Sequence, residues 1–157
     1  MEDASSERKS QAKVGQRYYD GEHDILHYRL CYYDADGELQ EDKTRSNIKI
    51  SHPFFTELVD QQAQYMLNGD EFVKSDIPEL QSELYKVFND DFISELTETI
   101  TSTVTKGFGY MYCYKDSQNN FRFENAYAMG VVEVRAKDTD DNCEYVIYWY
   151  IDKNTKA

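Results

Sequence analysis

The chain has 157 residues, of which 40% are hydrophobic and 14 are tyrosine, and a formal net charge of −13. That length suits one domain with a real core, and the aromatic load sets most of the chain apart from disordered sequences. The acidic balance disfavours autonomous binding of nucleic-acid phosphates, though not a negative wall lining a DNA passage. No run approaches the ~20 apolar residues of a membrane span, and the N-terminus lacks the apolar centre of a signal peptide.

Residues 1–17 read as a flexible or weakly helical arm, and residues 18–157 as a single α+β domain. Asp24 to Tyr33 (DILHYRLCYY) is rich in tyrosine and β-formers and predicts the first strand. Ala35-Asp36-Gly37 supplies a turn, and a ragged second strand follows. Ile48 to Ile50 is a brief alternating segment leading into a helix. Ser51 can cap it through its hydroxyl, and Pro53 suits its first turn. Phe55, Leu58, Val59, Ala63, Met66 and Leu67 recur at helical spacing as its core stripe, and Gly69 stops it.

Pro78 opens a second helix with Leu80, Leu84, Val87 and Phe88 on one face. Asp90-Asp91 starts a third, where the carboxylates complement the helix dipole. Its stripe is Phe92, Ile93, Leu96, Ile100 and Val104, and Gly107 ends it. After Gly107 the period changes from helical to alternating. A strand bearing Phe108, Tyr110, Tyr112 and Tyr114, a turn at Asp116 to Asn120 and a partner strand from Phe121 to Ala128 compose a hairpin. Val131 to Arg135 and Cys143 to Ile151 follow as strands. The last is the most apolar and predicts a central strand with Trp149 buried. The order is strand region, three helices, then an antiparallel β-meander packed on the helices, an α+β architecture.

Few residues suggest chemistry. Cys31, Cys113 and Cys143 are odd in number and form no CxxC pair, which predicts reduced, buried cysteines. His23 and His27 have helical ligand spacing, but no acidic or cysteine partner completes a metal set. His52, at a helix start, reads as a local hydrogen-bonding residue. Asp138, Asp140 and Asn142 open like a calcium loop, but Cys143 stands where Gly is needed and Trp149 where Glu is needed. Phosphate-binding glycine loops and nucleophile elbows are absent from the sequence. The expectation is a non-enzymatic protein without cofactor or metal.

A second pattern overlies the first helix. Asn47-Ile48-Lys49-Ile50-Ser51-His52-Pro53-Phe54-Phe55, then Leu58-Val59-Asp60-Gln61 and Tyr65-Met66-Leu67-Asn68-Gly69, resembles the portal proteins of tailed bacteriophages, in the branch common to siphophages and prophages of Gram-positive bacteria. The sequence departs from that pattern at Gln62, where Lys is usual, at Ala63, where Val is usual, and at Gly69-Asp70-Glu71. Tyr19-Asp20-Gly21-Glu22-His23-Asp24-Ile25, Gly107-Phe108-Gly109-Tyr110-Met111, the Asp116 to Asn120 turn with Phe121 and Phe123, and Val146-Ile147-Tyr148-Trp149-Tyr150 continue the resemblance in order.

The resemblance implies part of the N-terminal wing of a ring-forming homo-oligomer at the capsid vertex, a structural and assembly protein. Such a ring admits and releases DNA through its channel and joins head to tail. It meets terminase, scaffold or capsid proteins and head-tail adaptors. It resides in the virion and, during assembly, in the bacterial host cytoplasm. The stem, clip and crown of that family have no counterpart here, which implies a truncated form. On its own the chain is expected to be a monomer or weak dimer with little DNA binding and no membrane association. Asp60, Gln61 and Gln64, opposite the helix stripe, are the candidate subunit contacts. The alternative is a small acidic adaptor that binds a basic partner protein.

Overall fold

The computed structural model describes residues 5–67, 73–135 and 143–150. Its helices are α1 (Ser5–Tyr19), α2 (Phe54–Leu67), α3 (Pro78–Val87) and α4 (Asp90–Lys106). Strands β1 (Cys31–Tyr33) and β2 (Leu39–Glu41) precede α2. Strands β3 (Tyr110–Lys115), β4 (Phe121–Ala126), β5 (Val131–Arg135) and β6 (Cys143–Tyr148) follow α4. Among the described residues the strands form three antiparallel pairs, β1–β2, β3–β4 and β5–β6. The α+β class is the one expected.

Helix α4 is the axis of the fold: α1, α2, β3 and β4 all pack against it. Its ends follow from local chemistry. Asn89 is extended, and its side-chain oxygen accepts from the Phe92 amide at 3.1 Å, which satisfies one of the free N–H groups of the first turn. Gly107 adopts φ 80°, and its N–H donates to the Thr103 carbonyl at 2.7 Å, a left-handed stop suited to glycine. Within the threonine-rich stretch, the hydroxyls of Thr97, Thr99 and Thr103 donate to carbonyls one turn back at 2.7, 2.8 and 2.7 Å. Those hydroxyls therefore need no other partner when the helix is packed.

Among the described residues the buried apolar side chains are small: Ala12, Val59, Ala63, Ala126, Ala128 and Val131, with Phe92 the large exception. Phe88, Phe92 and Phe123 cluster beside them, with ring centroids 4.7 to 5.9 Å apart. Small residues let α1 approach α4 at backbone distance. A side chain at Gly15 would run into the Thr105 carbonyl.

The β3–β4 hairpin closes on the expected turn. Asp116 Oδ1 accepts from the amides of Gln118 and Asn120, each at 2.9 Å, and Asn119 takes φ 65°. Register runs from Tyr110 opposite Ala126 to Lys115 opposite Phe121. The Asp34 turn between β1 and β2 repeats the device, accepting from Asp36 and Glu38 amides at 3.0 and 2.9 Å.

Several expectations require correction. Asp24 to Tyr33 is not one strand: Asp24–His27 is a 3-10 turn and only Cys31–Tyr33 is extended and paired. Leu58 and Met66 lie outside the core at 62% and 57% exposure, while Val59 and Ala63 carry the α2 contact. Their one-turn spacing makes a stripe narrower than the sequence suggests. Among the described residues strand β6 pairs only with β5 and ends at Tyr148, so it is not central there, and Trp149 is half exposed. All three cysteines are free, as expected, but exposed rather than buried. They sit on short strand pairs with no layer over them. The expected stop at Gly69, the acidic turn through Asp138, Asp140 and Asn142, and Ile151 lie outside the described residues.

Candidate functional site

The three candidate contact residues sit on α2, whose Val59 and Ala63 fix its rotation toward the core. Asp60, next to Val59, is half-buried beside α1. It accepts a hydrogen bond from Tyr19 Oη at 2.9 Å, and Thr56 Oγ1 donates to the Tyr19 carbonyl at 2.8 Å. Tyr19 is thus held by α2 at both its backbone and its phenol. Burial, and then the bond to Asp60, push its phenol pKa above the usual 10.0. Asp60 is therefore partly committed to holding α1 on α2.

Gln61 and Gln64 are exposed. Being three residues apart they share a helix face. With Tyr65, Leu67, Ile93 and Thr97 they border an open depression of about 600 Å³ between α2 and α4. The structure thus divides the three candidates: Asp60 turns toward α1, whereas the two glutamines face the α2–α4 depression. Exposed Tyr65, at 81%, lies beside them and was not singled out from the sequence. The helical period places it next to Gln61 and Gln64, but exposure of so large a ring is decided by packing.

Other polar groups serve the frame. Glu95 Oε2 accepts from the Asn125 amide at 2.6 Å and so ties α4 to β4. Arg122 spans Asp116 and Asp91, at 3.1 and 3.5 Å, between the hairpin and the start of α4. Glu133 accepts from Arg135 at 2.7 Å and Tyr110 Oη at 3.0 Å, and these two partners, the arginine first, hold its carboxyl below the usual range. Lys106 is partly buried, which lowers its pKa, and donates to Ser102 Oγ at 3.0 Å. His52 stacks on Phe54 at 3.8 Å, and His23 stacks on Tyr18 at 5.0 Å. Among the described residues no group of His, Cys, Asp and Glu is arranged to hold a metal ion, and no helix is long and apolar enough to cross a membrane.

Several large apolar side chains are exposed on this acidic chain. Ile48, Ile50, Phe54, Leu58, Tyr65 and Tyr150 are each at least 62% exposed. Among the described residues, the hydrogen-bonded titratable groups Asp60, Glu95, Arg122 and Glu133 serve contacts between elements.

Comparison with known proteins agrees with the pattern read from the α2 region. The family model for "Phage portal protein, SPP1 Gp6-like" matches residues 1–157. The portal protein of Bacillus phage SPP1 is 30% identical over 136 residues, covering 87% of this chain. The chain spans 27% of the length of that relative. A match over the whole chain, with a relative aligned across most of it, leads to one conclusion: the chain belongs to the SPP1 Gp6-like family of phage portal proteins.

Proposed function

We propose that the chain works as part of the outer wing of a portal ring, the head-tail connector through which DNA enters and leaves a phage capsid. Its role there is structural and non-enzymatic. The observation that carries the reading is the family match over residues 1–157, joined by the SPP1 relative named a portal protein. A small, exposed, α4-centred frame with large apolar faces is consistent with a part that is completed by neighbours. Within such a virion vertex the ring would be a homo-oligomer, with terminase, scaffold or capsid proteins and head-tail adaptors as partners, assembled in the host cytoplasm.

The test is to produce the complete polypeptide that contains this chain and image it by electron microscopy. Rings with a central channel are expected; a species that stays monomeric under assembly conditions would refute the reading. Within that assay, Asp60, Gln61 and Gln64 are the proposed subunit contacts. Charge reversal at Asp60 should reduce ring yield and packaged particles. Tyr19→Phe is the control, because it removes the same internal hydrogen bond without changing the surface charge. Equal loss in both would reduce Asp60 to a packing role.

A further inference from the structure

The segment just before α2 is built to be presented. Residues 46–53 carry no helix, strand, turn or bend, so the chain runs through them without a sharp change of direction. Two side chains tether it to the body: Asn47 Nδ2 donates to the Tyr28 carbonyl at 3.1 Å, and Ser51 Oγ donates to the Gly21 carbonyl at 3.4 Å. Among the described residues, no backbone group of residues 46–52 bonds to another backbone group. Between the tethers, Ile48 and Ile50 are 82% and 79% exposed. Residues two apart share one side of an extended chain, and Phe54, 63% exposed and stacked on His52, lies just beyond them.

Its charge is opposite to that of the molecule. Residues 43–54 contain Lys43, Arg45 and Lys49 but none of the 30 acidic residues of the chain. Arg45 pairs with Asp42 at 3.2 Å. Lys43 and Lys49 make no ion pair among the described residues. A cationic, apolar strip with open backbone groups therefore stands on a chain of net charge −13.

We propose that residues 43–54 are a docking strand for a second copy of this chain, seated on an acidic face of that neighbour. The inference rests on the ring reading and names the element that would join subunits. Charge complementarity favours this occupant, because each copy offers both the basic strip and an acidic body. Duplex DNA is disfavoured because bare isoleucines gain nothing from phosphates; the field of net charge −13 repels DNA and a second copy alike, so only a local match of the strip to acidic side chains favours the latter. Open main-chain groups flanked by alternating apolar side chains are the requirements of strand addition. Each strip would meet an acidic face, not the neighbour's strip, so lysines are not opposed to lysines in either a two-fold or a head-to-tail arrangement.

Sedimentation of the intact chain over a concentration series, at low and high salt, tests the idea. The average mass should rise above the monomer with concentration and fall back in high salt. Ile48→Asp/Ile50→Asp should remove the association with an unchanged circular dichroism spectrum, since neither side chain is packed. Lys43→Glu/Lys49→Glu should remove it independently, and a free peptide of residues 43–54 should compete with it. A strictly monomeric chain, or association that survives both variants, would overturn the proposal. So would binding of short duplex DNA that the lysine variant abolishes, which would make the strip a DNA contact. A monomeric chain alongside rings of the complete polypeptide would sink this inference and leave the portal reading intact; self-association of this chain without rings would do the reverse.

Discussion

Gly15→Ala sets two effects of opposite sign against each other at one position. In a helix interior alanine is favoured over glycine by about 1 kcal/mol, so an isolated α1 would gain. Gly15, however, faces the Thr105 carbonyl, and a Cβ there would lie closer than the 3.0 Å that such atoms essentially never breach. That carbonyl is part of the α4 backbone and cannot rotate aside as a side chain would. Relief requires the two helices to part until the contact reaches the ordinary 3.4 Å. Ala12, one turn away and 1% exposed, then loses its packing as well. Overpacking of this kind costs about 1–3 kcal/mol, and a rigid obstacle puts the cost in the upper part of that range. The expected net loss is about 1–2 kcal/mol, or roughly 2–8 °C in melting temperature for a chain of this size. Urea and thermal melts measure the global value, and amide hydrogen exchange on α1 reports undocking. A variant that is more stable by about 1 kcal/mol, with α1 protection unchanged, would show that α1 does not pack on α4 in this way.

Val59→Ala should cost about 2 kcal/mol, because Val59 is a fully buried contact of α2; Trp149→Ala should cost less than about 1 kcal/mol because the ring is half exposed. Denaturant melts that reverse this order would return Trp149 to a core. Asn89→Ala removes the cap of α4 and should destabilise by about 1 kcal/mol in the same assay, with Asn89→Asp close to wild type. Asp34 and Asp116 titrate below the usual 3.8, chiefly because the Glu38 and Asn120 amides, respectively, donate to them. A carboxylate with a depressed folded pKa contributes stability that is fully present above 3.8 and lost as pH falls through the lower folded value. Both hairpin turns should therefore loosen in strong acid, and carboxyl carbon chemical shifts that titrate at or above 3.8 would disprove the turn geometry.

Much of the local structure was legible because it is enforced within a few residues. Asp90-Asp91, with Gly107 a helix-length later, marks both ends of α4, and the structure adds Asn89 as the cap. Pro78 opens α3, and Asp116 with the asparagines after it makes a hairpin turn wherever the flanking strands pair. The family pattern across α2 was readable for a related reason: its residue types exceed what capping and packing demand. Tertiary structure alone decided which of several apolar residues were covered. Leu58 and Val59 are adjacent and equally apolar, and a small rotation of α2 against α4 buries one and exposes the other. Trp149 sits in the most apolar stretch of the chain, but β6 finds only β5 beside it, so no second layer covers the ring. The polar α1 showed no apolar periodicity because its docking depends on Ala12 and Gly15, residues selected for what they lack. Asp60 was identified by its helix face, yet its bond to Tyr19 joins residues far apart in sequence. Caps and turns are settled by neighbours along the chain, whereas burial depends on which surfaces the fold brings together.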